Sequence, residues 1–230
     1  MRSYFKQLYS NLLPIPCRLC GSHSTSYAVC IKCIADLPFL TDACPRCAQA
    51  TPNSQLCGQC LSSPFDVDLS VSLFRYLAPI DRLIADFKYH DKLYLSALFA
   101  DLMYEKLKGR TLPQCLIPIP LHPRRLRKRG YNQSLELAKS LSKLLSIPIH
   151  NQHLSRNRNT PPQASLPFKQ RKDNIKHAFT LLDPQLPSHI ALIDDVLTTG
   201  HTANAVASLL KKADVQTIEV WTIARTIRRG

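Results

Sequence analysis

Eight of the nine cysteines fall between positions 17 and 60, as four C-x-x-C pairs: Cys17/Cys20, Cys30/Cys33, Cys44/Cys47 and Cys57/Cys60. Two thiolates from one such knuckle fill two vertices of a metal tetrahedron, and a second knuckle fills the others. Eight ligands therefore predict two four-cysteine Zn²⁺ sites. Sequential pairing places Cys17, Cys20, Cys30 and Cys33 on one ion and Cys44, Cys47, Cys57 and Cys60 on the other. Cross-brace pairing, first knuckle with third, meets the same spacing. A disulfide framework would need an oxidising compartment, and the N-terminal run MRSYFKQLYSNLLPIP has no long apolar export signal. A thioredoxin-like role would need one pair in a βαβ setting, not four in a Pro-rich stretch. The stretch has little apolar material of its own (Leu37, Phe39, Leu40, Leu56, Leu61), so metal binding is expected to supply much of its folding energy. Four thiolates close a site and leave no position for a reacting water, so both zincs read as structural. Cys115, within apolar Cys115-Leu116-Ile117, reads as a buried strand residue.

The rest of the chain is too apolar for a disordered basic tail: 45% of its 230 residues are hydrophobic. No apolar run reaches the ~18–20 residues that would span a bilayer, so membrane insertion and secretion are poor readings. The net charge is +14, and the excess is localised. Residues 111–190 hold 13 basic side chains against 3 acidic ones, whereas residues 66–110 hold 7 of each. The basic residues interleave with Gly, Asn, Thr and Pro, as in phosphate-binding loops; a solubilising face is the alternative.

The cysteines stop near Pro64-Phe65-Asp66, which places a boundary between a small domain over 1–65 and a larger one over 66–230. In the second, alternating apolar residues predict a strand at Asp68–Tyr76, apolar runs predict buried strands at Cys115–Ile119 and His189–Ile193, and Gln216–Ile223 reads as a last strand. Helical spacing predicts helices from Pro79 to about Phe87, over Leu93–Leu107, around Leu135–Leu145, and from about Thr202 to Ala213. Strands alternating with helices imply an α/β fold, a mainly parallel sheet flanked by helices, with its ligand at the carboxyl ends of the strands.

The most informative segment is Ala191–Ala203, A-L-I-D-D-V-L-T-T-G-H-T-A. Asp194 and Asp195 end a buried strand and can accept hydrogen bonds from vicinal sugar hydroxyls or attract Mg²⁺. After Val196 and Leu197, the residues Thr198, Thr199, Gly200, His201 and Thr202 can surround a phosphate with hydroxyls and backbone N–H groups at a helix start. This pattern resembles the fingerprint of the type I phosphoribosyltransferase family, which binds 5-phosphoribosyl 1-pyrophosphate (PRPP). The resemblance implies that Asp194 and Asp195 hold the ribose hydroxyls and that Thr198–Thr202 hold the 5′-phosphate. No Walker loop is present.

Two basic segments flank that turn. Leu116–Leu137 contains Arg124, Arg125, Arg127, Lys128, Arg129 and Asn132 and reads as a basic loop, placed after a strand to receive a pyrophosphate. Arg156–Phe179, with Arg156, Arg158, Thr160, Gln163, Arg171 and Asn174, reads as a loop able to close over a ligand; either segment, Arg127, Lys128, Arg129 and Asn132 included, could instead touch a nucleic-acid backbone. The Cys pairs, F-K-Y-H-D-K at Phe87–Lys92, P-L-H-P-R-R-L-R-K-R-G-Y-N-Q, R-N-R-N-T-P-P-Q-A-S-L and D-D-V-L-T-T-G-H-T together resemble the competence protein F (ComF/ComFC) family. That family joins a double zinc ribbon to a phosphoribosyltransferase-like domain and is linked to DNA uptake during natural transformation. The resemblance implies handling of single-stranded DNA in the cytoplasm. Three functions stay open. One is a Mg²⁺-dependent transfer from PRPP to an unidentified acceptor, with Arg124, Arg125 and Lys88 stabilising the departing pyrophosphate and Asp194 and Asp195, as catalytic residues, an oxocarbenium-like sugar. The second is a nucleic-acid module with little catalysis, and the third is a zinc-ribbon adaptor for a competence helicase or DNA-transport protein.

Overall fold

A computed structural model describes residues 15–24, 28–63, 65–158 and 178–227. The N-terminal region carries β1 (Ile15–Pro16), β2 (His23–Ser24), α1 (Ile31–Ala35) and α2 (Gly58–Ser62). The larger region follows with β3 (Leu69–Arg75), α3 (Ile80–Tyr89), α4 (Leu95–Leu107), β4 (Cys115–Pro118), α5 (Pro123–Arg129) and α6 (Gln133–Leu145). It closes with β5 (Leu154–Arg156), β6 (Phe179–Leu181), β7 (His189–Leu197), α7 (His201–Lys211) and β8 (Thr217–Arg225).

Four strands form one sheet in the order β3-β8-β7-β4, with every neighbouring pair parallel. Parallel strands are covered on both faces, so they read as apolar runs whose alternate residues enter different cores. Leu116, Ala191, Ile193, Trp221 and Ile223 pack with Leu83, Ile84 and Phe87 of α3, Phe99 and Met103 of α4, and Leu137 and Leu141 of α6. Cys115, Ile117, Ile190, Leu192, Ile218 and Val220 pack with Val206, Ala207 and Leu210 of α7 and with Leu154 and Phe179 of the β5–β6 pair. Ile80, Leu83, Ile84 and Phe87 are the buried residues of α3, the spacing of one apolar helix face.

The two cysteine knuckle pairs are copies of one unit offset by 27 residues, Cys17 onto Cys44. Their backbones repeat at the same offset. Gly21 N donates to Cys17 O at 2.9 Å as Ala48 N does to Cys44 O at 2.8 Å, and Cys17 N meets Ser22 O as Cys44 N meets Gln49 O, both at 2.7 Å. Both turns need a left-handed residue, Gly21 at φ 75° and Ala48 at φ 55°. The stretch leading into the second copy covers the open edge of β3: Leu40 N donates to Leu73 O, Arg75 N to Pro38 O and Ser70 N to Pro45 O, and the Phe39 and Phe74 rings lie 4.8 Å apart. An unpaired edge is a pairing hazard, and here the cysteine-rich segment occupies it.

Two expectations need correction. The basic segment after β4 is not all loop: Pro123–Arg129 is helical, with Pro123 in its first turn and Gly130 at φ 82° closing it. β7 does not stop at Ile193 but runs through both acids to Leu197, because its ladder with β8 continues to the Leu197–Arg225 pair.

Candidate functional site

The four Sγ atoms within each of the sets Cys17/Cys20/Cys30/Cys33 and Cys44/Cys47/Cys57/Cys60 lie within 4.8 Å of one another. This is the sequential pairing. Cys20 and Cys30 sulfurs are 3.8 Å apart and those of Cys47 and Cys57 3.5 Å. A tetrahedral Zn–S length of about 2.3 Å requires edges near 3.8 Å, so the donor sets fit the metal. The knuckle backbone also favours thiolates. Burial opposes ionisation of Cys17, yet backbone N–H groups of Cys30, Cys20 and Leu19 outweigh it and lower the thiol to about 6. Cys44, against the same opposition from burial, is lowered to about 7 by the backbone at Cys57, Cys47 and Arg46. Two ligands of the second set are held toward the thiol form instead: burial lifts Cys47 to about 11 and raises Cys60 as well. Four thiolates together need a cation.

The other chemistry gathers at the carboxyl end of β7. Lys88, in the last turn of α3, places Nζ 2.8 Å from Asp195 Oδ1, with the two side chains 20% and 7% exposed. Gln133 Nε2 donates to Asp195 Oδ2 at 2.7 Å, Ser134 Oγ donates to Asp194 Oδ1 at 3.1 Å, and the Asp195 N–H reaches the same oxygen at 2.9 Å. Gln133 and Ser134 open α6, capped by Asn132 Oδ1, which accepts from Ser134 N at 3.1 Å. The positive end of that helix therefore faces both carboxylates. Burial and the neighbouring Asp195 charge push the half-buried Asp194 up to about 7, against the Asp195 N–H, Lys88 and Ser134.

A single short motif assembles this cluster. Within Tyr131-Asn132-Gln133-Ser134, Tyr131 Oη donates to Phe87 O beside Lys88, and Asn132 Nδ2 donates to Ile119 O at 3.1 Å. Arg129, which lies 5.0 Å from the Tyr89 ring, donates to Gln133 Oε1. The supporting roles of Tyr131, Gln133 and Ser134 escaped the sequence reading. Their signal was the R-G-Y-N-Q string itself, polar residues crowded at the start of an amphipathic helix.

Beyond β7, Thr198–Gly200 turns into α7. Gly200 at φ 81° precedes the helix with no side-chain cap, and the first intrahelical bond runs from Asn204 N to Gly200 O at 2.8 Å. His201 N lies 3.4 Å from Thr199 Oγ1. A Cβ on Gly200 would sit 3.1 and 3.2 Å from the Phe65 ring. Gly200→Ala is therefore expected to destabilise the fold by about 1–2 kcal/mol from the left-handed backbone alone, read from the urea unfolding midpoint. An unchanged midpoint would show that the turn relaxes freely.

The predicted cationic residues divide. Arg124, Arg127 and Lys128 are exposed on α5, Arg158 is exposed beyond β5, and Arg125, Arg129 and Arg156 are half-buried. Burial, then the Arg125 charge, lowers Arg156, with Asp194 opposing, so Arg125, Arg156 and Asp194 share one field. Lys88 holds Asp195 instead of standing open to a pyrophosphate. Thr160, Gln163, Arg171 and Asn174 lie outside the described residues.

Comparison with known proteins gives this geometry a lineage. Residues 8–61 match the double zinc ribbon domain, so the two four-cysteine sets are its structural zinc sites. Competence protein F of Haemophilus influenzae is 34% identical over 91% of this chain and 90% of its own length. The chain belongs to the competence protein F family. The DNA utilization protein YhgH of Escherichia coli K12 is 33% identical over 87% of this chain and 92% of its own. Purine phosphoribosyltransferase of Pyrococcus horikoshii covers 58% of this chain and 82% of its own at 18% identity, with a TM-score of 0.33. The matches to these relatives extend over the cysteine-rich segment and the parallel sheet alike. No helix among the described residues is long and apolar enough to cross a membrane.

Proposed function

We propose that the protein binds PRPP with Mg²⁺ at Asp194–Thr202 and serves in competence-related DNA utilization, handling single-stranded DNA in the cytoplasm. The observation that carries the ligand assignment is the acid pair held by Lys88, Gln133 and Ser134 at the head of the Thr198–Thr202 turn. Each carboxylate has its orientation set by named donors and keeps lone pairs for a ribose hydroxyl. Asp194 and Asp195 would also face the Mg²⁺ that accompanies the diphosphate, which supplies charge neutralisation when bound. The turn offers hydroxyls and the positive end of α7 to a phosphate. Arg125 and Arg156 supply cationic wall on the Asp194 side, and the exposed Arg127, Lys128 and Arg158 suit a nucleic-acid backbone.

Isothermal titration of Mg·PRPP into the zinc-loaded protein tests the reading. Asp194→Asn with Asp195→Asn is expected to abolish measurable affinity. Affinity should rise with pH through about 7, because burial raises Asp194 and ligand hydroxyls need the carboxylate, and it should fall up to about tenfold per unit below. The same raised value favours the folded chain at low pH, a contribution lost as pH rises from the unfolded carboxyl range through about 7. Wild-type protein with no affinity for Mg·PRPP, or affinity indifferent to both Asn substitutions, would refute the assignment. Single-stranded DNA affinity should weaken steeply with salt, and a flat salt dependence would remove the nucleic-acid part.

A further inference from the structure

The second zinc site and the Thr198–Gly200 turn meet at one buried side chain. Arg225 ends β8 and is 2% exposed. Its Nε donates to the Cys47 carbonyl at 2.7 Å, and one terminal nitrogen donates to the carbonyls of Leu197 at 2.7 Å, Thr226 at 3.1 Å and Thr198. Gln49, two residues after Cys47, donates to Thr226 O at 3.0 Å, and Thr226 N donates to Leu197 O at 3.1 Å. On the far side of the turn, Phe65 lies against Gly200 and Asp66 N donates to Asn204 Oδ1 at 2.7 Å.

We infer that Arg225 is a positioning residue that aims the Thr198–Gly200 turn at an anion and makes that aim depend on the second four-cysteine site. The inference rests on the reading of the turn as a phosphate receptor. In a trans peptide unit the C=O and the N–H point in opposite directions. The Leu197 and Thr198 carbonyls are both drawn to the guanidinium, so the N–H groups sharing those units, of Thr198 and Thr199, are directed away from it. The guanidinium stays charged at any accessible pH, and hydrogen bonds to a charged donor are roughly twice as strong as neutral ones. Its charge also polarises those two peptide units, which makes their N–H groups better donors to an incoming anion.

The link to the metal runs through Cys47. This residue is a zinc ligand by its Sγ and an Arg225 acceptor by its carbonyl. Its knuckle is closed by the Ala48 N to Cys44 O and Cys44 N to Gln49 O bonds, so a filled tetrahedron fixes the direction of that carbonyl. The first zinc site reaches the domain elsewhere, through the Arg18–Asp86 pair at 2.6 Å on α3, and serves as an internal control.

The test uses full-length zinc-loaded protein with three readouts: zinc per chain, amide hydrogen exchange of peptides over 197–203 without ligand, and Mg·PRPP titration. Arg225→Met is expected to keep its zinc, to speed exchange over 197–203 by about tenfold or more, and to weaken Mg·PRPP by a similar factor, with Arg225→Lys intermediate. Cys57→Ser, which opens the second site, should reproduce the faster exchange; Cys30→Ser, which opens the first, should leave exchange over 197–203 at the wild-type rate. That cysteine comparison decides alone if Arg225→Met does not fold. Unchanged exchange in both Arg225→Met and Cys57→Ser, or equal loosening by Cys30→Ser, overturns the inference. If wild-type protein binds no PRPP while the exchange pattern holds, the PRPP reading falls and the positioning role of Arg225 stands.

Discussion

Stripping both zincs with a strong chelator is expected to unfold the cysteine-rich segment and to uncover β3 in the same event. Structural zinc in zinc-finger peptides is held by roughly 10–16 kcal/mol of apparent binding free energy at neutral pH. That matches or exceeds the 5–15 kcal/mol of a whole domain's stability. The segment has few apolar anchors of its own, chiefly Val29, Leu37, Leu40 and Ala48, which are buried against the sheet cores. Without metal its knuckles lose their geometry, and with them go the Leu40–Leu73, Arg75–Pro38 and Ser70–Pro45 backbone bonds along β3. The exposed edge is then a template for intermolecular pairing. Hydrogen exchange should show deprotection over 17–63 and along Leu69–Arg75, while β7, central in the sheet, holds longer, and light scattering should rise with time. Complete zinc removal that left β3 protected and the protein monodisperse would show the ribbon to be an independent appendage.

How far the chain could be read in advance follows from where its signals are periodic. β3, β4, β8 and α3 announce themselves because each buries an alternating or i, i+3, i+4 set, and the two-core packing of Cys115/Ile117 against Leu116 is that alternation realised. The zinc sites were legible because ligand spacing is itself the geometry. The helix at Pro123–Arg129 was hidden because Leu126 is the one apolar residue in P-R-R-L-R-K-R, so no amphipathic period exists and its limits come from Pro123 and Gly130. β7 overran its predicted end because two carboxylates look like the end of an apolar strand. Lys88 and Gln133, from distant elements, make those charges tolerable inside the ladder. Arg225 was unreadable for the same reason: a lone arginine in an apolar strand gives no hint of four carbonyl acceptors converging from Cys47, Leu197, Thr198 and Thr226. Local pattern specifies elements, whereas the polar partners that meet at a strand end depend on sheet order.

Removing the charge of Asp195 is expected to cost about 3–5 kcal/mol, the penalty for breaking a largely buried ion pair from one side. Asp195 is 5% exposed and both its oxygens are engaged, Oδ1 by Lys88 at 2.8 Å and Oδ2 by Gln133 at 2.7 Å. Burial alone would lower Lys88, but the charge and hydrogen bond of Asp195 outweigh it and hold the ammonium above its usual range. A raised lysine contributes stability that is full below its unfolded value and is lost only as pH climbs through the folded one, so at neutral pH the pair is intact. In Asp195→Ala the ammonium keeps its burial and loses its counter-charge, and it must either deprotonate or draw water into the core beside Phe87. Lys88→Met should cost less, because Gln133 and the positive end of α6 still face the carboxylate. The double variant Asp195→Ala/Lys88→Met, with no orphaned ammonium, should be more stable than Asp195→Ala alone. The cycle should give a coupling of about 1–3 kcal/mol from urea unfolding midpoints. Strict additivity, or an Asp195→Ala cost below about 1 kcal/mol, would mean that the pair is solvated in solution and that the acid cluster is not held as drawn.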